Sequence, residues 1–324
     1  MLRLSNWSLK RIIPLIKLMG RFTFKIMLFK VLSVAGFNLN LTNRIFMDIQ
    51  KRKLGKTGVD VTILGLGGEG ILRTYGYEEE AYALINRAID LGIGYFESAR
   101  AYSGSETYYG SALNERRKEI FLTSKSHARD KTGALAHLRE TLRNMHTDHL
   151  DLWQVHDVRT EEDMEQIFGP DGALEAFVEA KEKGWTRFIG VTGHHDPFIL
   201  RRCIEMHDFD TVLLPVNPAE PAFKSFLDNV IPLANEKGMG IIGMKVYFRG
   251  FAAKIPGFKG MEPYLRFALS QPISTVVIGC DNVSQLEENV KMAKSFKSLS
   301  KDEAKDLEDY LAPYAKQLMY YKPQ

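Results

Sequence analysis

Short apolar runs alternate with longer helix-type runs from Lys51 almost to the C terminus, and this alternation constrains the fold more than any other feature. Eight strand-type runs, each followed by a helix-type run, are counted from Ile63 onward. Most strand-type runs are continuously apolar, which is typical of parallel strands that are covered on both faces. Eight such units in roughly 240 residues match the arrangement of a TIM barrel. We therefore predict an α/β fold, a (β/α)8 TIM barrel, with a doubly wound sheet as the alternative.

The apolar periodicity gives provisional boundaries for each run. The predicted strands are residues 59–64, 94–97, 120–124, 150–155, 187–191, 211–216, 240–245 and 275–279. The predicted helices are residues 78–91, 106–113, 133–145, 172–183, 197–206, 223–237, 262–270 and 284–293. A further C-terminal helix is predicted over residues 301–314, beyond the eight units.

The first 46 residues differ in composition from the rest of the chain. They contain eight Lys or Arg residues and no acid, so the remainder carries a net charge of −5 against +3 for the whole chain. Such a leader suits an organellar presequence, an interfacial anchor or sequence upstream of the true start. We predict a leader at 1–46, a functional start at Met47 and one barrel domain at 47–324. A mildly acidic domain argues against a nucleic-acid partner.

Cysteine content and hydropathy bear on the compartment. The two cysteines, Cys203 and Cys280, cannot build a disulfide framework, so a reducing compartment and a cytoplasmic location are expected. No apolar run approaches the ~18 residues of a membrane span, so no membrane contact is expected unless the leader is retained. The sequence does not indicate an oligomeric state.

Four polar residues follow successive predicted strands: Glu97, Tyr102, Lys125 and His156. In a parallel barrel the carboxyl ends of the strands meet at one mouth, where active sites are built. A neighbouring ammonium favours a phenolate and is expected to lower the pKa of Tyr102 from its usual value of about 10. The carboxylate would hold the ammonium, and the imidazole would orient a polarised oxygen.

These four residue types predict proton donation by Tyr102 to a carbonyl oxygen while a cofactor delivers hydride. The alternative interpretation is structural, with Lys125 and Glu97 as an ion pair and His156 as a core histidine. The glycine-rich run at 65–70 lacks the spacing of a dinucleotide fingerprint. We interpret it as a tight turn at the floor of the pocket.

With these motifs in place, the chain resembles the aldo-keto reductase family from about Arg52 to Phe296. The resemblance implies an N-terminal hairpin, a (β/α)8 barrel, carbonyl reduction with NADPH or NADH, and a tetrad at Glu97, Tyr102, Lys125 and His156. The matching segments are residues 53–61, 64–68, 96–99 with Tyr102 and 104–106, 123–125 and 151–156.

The sequence departs from the family pattern at two places. Glu97 stands where the family usually has Asp, which lengthens the reach to Lys125 by one methylene. Thr192 and Gly193 stand where the family has Ser-Asn to hold the nicotinamide amide; Thr192 is expected to bind it, with His194 or Asn217 compensating. The adjacent histidines at 194 and 195 diverge along the chain, and no metal site is predicted.

The resemblance places the adenosine phosphate at the end of the eighth strand and the following helix, whose N terminus favours anions. Gln285 stands where members that prefer NADPH carry a cation, and Asp281 adds negative charge. We therefore expect a weakened preference for NADPH. The predicted cofactor-binding residues in this half of the site are Lys245, with Arg249 as a weaker candidate, Gly279, Gln285, Glu288 and Asn289.

The predicted function is an NAD(P)H-dependent oxidoreductase that reduces an aldehyde or ketone, or runs the reverse oxidation of an alcohol or sugar. The partner would be a small-molecule carbonyl substrate. The alternative is a non-catalytic barrel that senses a cofactor or binds a partner. Several aromatic residues predicted at the mouth suggest an apolar pocket: Tyr75, Tyr77, Phe198, Tyr247, Phe248 and Phe251.

Overall fold

The computed structural model describes residues 48–323. The leader at 1–46 and the start at Met47 lie outside the described residues, and those assignments stay predictions. Eight parallel strands form a closed barrel in which each strand pairs with the next along the chain. The last strand pairs with the first to close the ring. The predicted (β/α)8 fold is confirmed, and the doubly wound alternative is not.

The strands lie close to their predicted positions. A short hairpin, β1 with β2, precedes the barrel and pairs antiparallel, as the resemblance implied. The barrel strands are β3 to β10. The strands within residues 48–323 are β1 Lys51–Lys53, β2 Asp60–Thr62, β3 Leu64–Gly70, β4 Tyr95–Glu97, β5 Phe121–Ser126, β6 Leu150–Val155, β7 Thr186–Thr192, β8 Thr211–Pro215, β9 Gly240–Met244 and β10 Thr275–Cys280.

Helices cover the outside of the barrel. The predicted extra C-terminal helix is present as α11, and a capping box between Ser300 and Glu303 fixes its start. The α-helices of the described chain are α1 Glu78–Asp90, α2 Ser105–Leu113, α3 Lys131–Asn144, α4 Glu161–Phe168, α5 Ala173–Glu182, α6 Pro197–Met206, α7 Phe226–Asn229, α8 Ile231–Glu236, α9 Glu262–Ser270, α10 Val283–Lys294, α11 Lys301–Leu311 and α12 Ala315–Leu318.

The glycine-rich run at 65–70 is part of strand β3, so its interpretation as a tight turn is wrong. Close packing against the neighbouring strands accounts for two of the glycines. A Cβ on Gly65 would lie 2.9 Å from the Tyr95 carbonyl oxygen, and one on Gly67 would lie 3.0 Å from the Gly279 nitrogen. The predicted first strand at 59–64 is accordingly divided between β2 and β3.

Two helices differ from the prediction. The helix predicted at 223–237 is divided into α7 and α8, because Pro232 near the start of α8 has no N–H to continue a helical ladder. Helix α4 was not predicted. Its start is fixed by Thr160, whose side chain accepts a hydrogen bond from the Asp163 amide.

The inside of the barrel is filled with apolar side chains from most of its strands. Tyr95 and Phe121 stack with ring centroids 5.5 Å apart, and Phe188 stacks next to Phe121 at 6.3 Å. Leu54 and Val61 of the N-terminal hairpin region join this cluster. Because one part of the interior is packed solid, the barrel is a core and not a pore, and polar chemistry is confined to the strand ends.

Within residues 48–323, no helix combines the length and apolar character needed to cross a bilayer. The same range contains no group of three or more His, Cys, Asp or Glu side chains arranged to hold a metal ion. Both cysteines are buried free thiols.

Candidate active site

The four residues predicted to carry chemistry lie together at the carboxyl ends of three neighbouring strands. Glu97 is the last residue of β4, Lys125 lies near the end of β5, and His156 follows β6 directly. Tyr102 lies in the loop between β4 and α2. Glu97 and Lys125 are buried, and Tyr102 keeps 8% of its surface exposed.

Lys125 is the centre of this group. Its Nζ donates a short, buried hydrogen bond to Glu97 Oε1 and a second one of 2.7 Å to the Ser98 carbonyl. The same nitrogen lies 4.8 Å from the centroid of the Tyr102 ring. The rings of Tyr102 and His156 meet edge to face at 6.0 Å. The acid, amine, phenol and imidazole therefore share one small volume.

Gly68 of β3 completes the arrangement and was not recognised in the sequence. Its amide donates a hydrogen bond of 2.7 Å to Glu97 Oε2, so both oxygens of this carboxylate are held. A Cβ at this position would lie 2.7 Å from the Tyr102 ring and 2.8 Å from the Glu97 carbonyl oxygen. Only glycine lets β3 approach the phenol this closely.

Burial dominates the electrostatics of the phenol. It raises the pKa of Tyr102 above its usual range, and the Glu69 carboxylate raises it further. The expected net lowering of the Tyr102 pKa is therefore wrong, because burial outweighs the lowering effect of Arg73 and Arg249. Burial also lowers the pKa of Lys125, and the Glu69 carboxylate opposes this shift. The short contact with the Glu97 carboxylate favours the ammonium form. Tyr102 keeps its proton at neutral pH.

His156 is held as a neutral imidazole. Burial lowers its pKa well below the usual value, and the positive charge of Lys125 acts in the same direction. Its Nδ1 is buried and has no hydrogen-bond partner among the described residues. Its backbone is fixed by Arg129, whose Nη1 donates a 2.8 Å hydrogen bond to the His156 carbonyl.

A cavity of about 630 Å³ opens beside this group and continues to the N terminus of α10. Its lining includes both Tyr102 and residues from the first turns of α10. The following residues predicted from the sequence line it: Glu97, Tyr102, Lys245, Tyr247, Arg249, Gly279, Gln285, Glu288 and Asn289.

Glu69, near the end of β3, gathers three cations at the cavity wall. Its carboxylate lies 2.6 Å from Arg73, 2.6 Å from Arg249 and 3.6 Å from Lys245. Burial would raise the pKa of Glu69, but the three cations together lower it to about 2. Arg73 also stacks over the Tyr102 ring at 5.2 Å. Glu69 was not predicted, because its segment was interpreted as a turn.

Where the cavity meets α10, the lining is neutral or acidic. Asn282 caps the helix by accepting a 2.9 Å hydrogen bond from the Gln285 amide. Gln285 folds back on Asp281, whose amide donates 2.8 Å to Gln285 Oε1. Asn289 is tied to its neighbours, since Oδ1 accepts from the Tyr247 hydroxyl at 2.9 Å and Nδ2 approaches Cys280 Sγ at 3.5 Å. Glu288 is exposed.

Thr192 and His194 lie at the end of β7 and contact Asp157. The Thr192 hydroxyl accepts a 2.7 Å hydrogen bond from the Asp157 amide. His194 Nδ1 lies 3.3 Å from Asp157 Oδ1. Burial lowers the pKa of His194 to about 4, despite the opposing effect of the Asp157 carboxylate. His194 is therefore also neutral at physiological pH.

Asn217, just after β8, is fully buried, with 0% of its surface exposed. Its Nδ2 donates a 2.9 Å hydrogen bond to the Tyr321 hydroxyl, and its Oδ1 accepts one of 3.1 Å from the Ala219 amide. Both polar atoms of the Asn217 side chain therefore already have partners, and none is free for the predicted contact with a nicotinamide amide. No pattern in the sequence indicated that Tyr321, 104 residues further along the chain, would contact Asn217.

The aromatic residues predicted at the barrel mouth lie in three different environments. Tyr75, Tyr77, Phe198 and Phe251 are exposed, and Tyr247 lines the cavity. Phe248 is instead fully buried in the core and packs edge to face on Tyr264 at 6.0 Å. Its place in an apolar pocket at the mouth is therefore a wrong prediction.

The residues present fit a nicotinamide dinucleotide. The cavity joins the proton-donor group to a cation, Lys245, and to the N-terminal turn of a 12-residue helix, α10. Helix N termini carry free N–H groups and a positive dipole end, which bind phosphate. A cavity with a phenol at one place and phosphate-binding groups at another is what such a cofactor requires.

Barrel and site together define a (β/α)8 oxidoreductase. A family model described as the aldo/keto reductase family matches residues 63–257 of this chain. The chain belongs to the aldo/keto reductase family.

Similar proteins agree with this assignment, and solved structures agree with the fold. An uncharacterised oxidoreductase of Bacillus subtilis is 24% identical over 81% of this chain and 96% of its own. L-galactose dehydrogenase of Arabidopsis thaliana is 26% identical over 79% of this chain and 91% of its own. The holo form of an aldo-keto reductase from Bacillus halodurans superposes with a TM-score of 0.68 at 21% identity, covering 82% and 96% of the two chains. An aldo-keto reductase of Klebsiella pneumoniae in complex with NADPH gives 0.64 at 18% identity over 86% and 97%.

Proposed function

We propose that this protein reduces the carbonyl group of a small molecule with a reduced nicotinamide cofactor, and that Tyr102 is the proton donor. The observation that carries the proposal is the packing of Tyr102 between Lys125 and His156, next to a cavity that reaches a helix N terminus. A purely structural ion pair would not need a phenol and a neutral imidazole beside it.

When bound, the cofactor supplies a hydride to the carbonyl carbon. Tyr102 donates its hydroxyl proton to the carbonyl oxygen. Because burial raises the pKa of Tyr102, the hydroxyl is protonated at neutral pH and ready to donate. The neutral imidazole of His156 orients that oxygen. Lys125, held by Glu97 and the Ser98 carbonyl, stabilises the phenolate as the proton leaves.

The cofactor is expected to be NADH rather than NADPH. The basic residues that line the cavity, Arg73, Lys245 and Arg249, all contact Glu69, while Asp281 and Glu288 flank Gln285. A 2′-phosphate at this place would meet negative charge in place of its usual cation. Titration of both cofactors into the apo protein tests this; NADPH binding tighter by about tenfold or more would contradict it.

The activity test measures loss of reduced-cofactor absorbance with a panel of aldehydes and ketones. We expect turnover by the wild type and a fall in kcat of about 10³-fold in Tyr102→Phe, with an unchanged dissociation constant for the cofactor. Tyr109→Phe, which changes another buried tyrosine, serves as the matched control. If the wild type and Tyr102→Phe both bind cofactor and are equally inert, the protein is a non-catalytic cofactor sensor.

We also propose that the functional chain begins at Met47 and works in the cytoplasm. The change in composition at this point supports the start. N-terminal sequencing of the native protein tests it, and an intact Met1 on the mature chain would contradict it.

A further inference from the structure

Apart from Glu97, Tyr102, Lys125 and His156, the most unusual buried group is the ammonium of Lys322. Its side chain and that of Glu220 are both fully buried and form an ion pair of 2.7 Å. The same Nζ donates hydrogen bonds of 2.8 Å to the carbonyls of Phe223 and Lys224. Burying an ammonium is costly unless all its protons are used. Here all three have acceptors, so Lys322 is firmly anchored.

Tyr321, the preceding residue, connects this anchor to the barrel mouth. Its hydroxyl donates a 2.8 Å hydrogen bond to Glu220 Oε1 and accepts one of 2.9 Å from Asn217 Nδ2. Its ring meets the His194 ring edge to face, with centroids 6.0 Å apart. One side chain therefore touches two of the residues that the sequence assigned to cofactor binding.

Tyr320 contacts two more side chains of the mouth. Its ring lies 5.9 Å from Lys245 Nζ and 5.9 Å from Arg249 Cζ, distances at which a cation is attracted to an aromatic face. Tyr320, Tyr321 and Lys322, which we call the C-terminal strap, thus contact side chains that follow β7, β8 and β9 in turn.

We propose that the C-terminal strap is a permanent part of the cofactor site, in which Tyr321, anchored through Glu220 and Lys322, positions His194 for binding the cofactor. This inference rests on the proposed function. The strap is not a removable lid, because lifting it would remove the cation that pairs with the Glu220 carboxylate. Tyr321 is a positioning residue and contacts no reacting atom.

The experiment compares Tyr321→Ala and Tyr321→Phe with the wild type by equilibrium titration of NADH into the apo proteins. Tyr321→Ala removes the ring from His194 and is expected to raise the NADH dissociation constant about tenfold, with kcat at saturating NADH within about threefold. Tyr321→Phe keeps the ring and loses only the hydroxyl, so a rise of about threefold is expected. Tyr310→Ala is the matched control, because Tyr310 bonds to the Pro256 carbonyl and touches none of these residues.

A merely structural role would lower the melting temperature of Tyr321→Ala while leaving the NADH dissociation constant unchanged, and that result overturns the proposal. If Tyr321→Ala does not fold, the Glu220→Gln, Lys322→Met pair replaces it, since it removes both buried charges at similar volume. Hydrogen exchange of the last residues gives a second readout in the wild type: NADH should slow it, and an unchanged rate contradicts the proposal. If the wild type itself binds neither NADH nor NADPH, the proposed function fails, and not the strap alone.

Discussion

Two parts of the barrel mouth use their polar side chains in opposite ways. At the ends of β4 to β6, Glu97 and Lys125 bind each other and leave the Tyr102 phenol at the cavity wall. At the ends of β7 and β8, the side chains of Thr192 and Asn217 form hydrogen bonds with other groups of the protein. A strand end thus fixes where a side chain lies, but its partners decide whether any polar atom remains for a ligand.

The largest effect is expected from Lys125→Met. This variant tests whether the Glu97–Lys125 pair at the ends of β4 to β6 contributes both to turnover and to the stability of the fold. The variant leaves the Glu97 carboxylate buried without its cation, and this should lower the free energy of unfolding by about 3–5 kcal/mol. Turnover should also fall by about 10³-fold, because Tyr102 loses the charge that stabilises its phenolate. Denaturant unfolding and steady-state kinetics measure the two losses.

The double variant Lys125→Met, Glu97→Leu separates those losses. With both charges gone, much of the stability should return while turnover stays low. Recovery of turnover in the double variant would show that the pair is structural only.

Gly68→Ala tests how closely the phenol depends on the backbone of β3. The new Cβ would lie 2.7 Å from the Tyr102 ring, so the ring must move. A displacement of this kind is expected to lower kcat about 10²-fold. In the matched control Gly94→Ala, the nearest atom to a new Cβ is 3.9 Å away, and kcat should be retained. Equal activity of both variants would argue against the close fit of Tyr102.

At the ends of β7 and β8, His194 is expected to make the stability of the fold depend on pH. His194 has a pKa of about 4 in the folded chain and about 6.5 when unfolded. Above pH ~6.5 both states are neutral; between pH ~6.5 and ~4 only the unfolded state takes up the proton. Stability should therefore fall as the pH falls through this window, by about 3 kcal/mol at its lower end.

Comparison of pH-dependent unfolding in His194→Gln and the wild type measures this contribution. The variant should lose that part of the slope, and the more exposed His149→Gln should keep it. If the two variants have the same slope, His194 is not held neutral by burial.

The smallest effect is expected at the α10 end of the cavity. Gln285→Arg places a cation between Asp281 and Glu288, and should shift the ratio of NADPH to NADH affinity about tenfold toward NADPH. Competitive titration of the two cofactors measures the ratio. A Gln285→Met control removes the hydrogen bonds to Asp281 without adding charge, and a similar shift in it would contradict the electrostatic explanation.

The order of the strands and the meeting of the four strand-end residues could be predicted because both depend on local patterns. Apolar runs mark the strands, and the barrel rule then brings Glu97, Lys125 and His156 to one end. The direction of the pKa shift at Tyr102 could not be predicted, since it depends on the extent of burial and on Glu69. Neither quantity is visible in the spacing of residues.

Long-range contacts account for the remaining differences. Asn217 was assigned to the cofactor because of its position after a strand, yet its partner Tyr321 lies 104 residues further along the chain. Similarly, Gly68 is explained only by the Tyr102 ring that packs against it in three dimensions. The periodicity of a single sequence carries no information about such pairs.

The buried ammonium of Lys322 also has a practical consequence for making the protein. Because the C-terminal strap follows all eight barrel strands in the sequence, its contacts at the barrel mouth form only after every strand has been synthesised. An affinity tag fused at the C terminus would start two residues beyond a fully enclosed charge. Purification handles belong at the opposite end, where they leave this anchor intact.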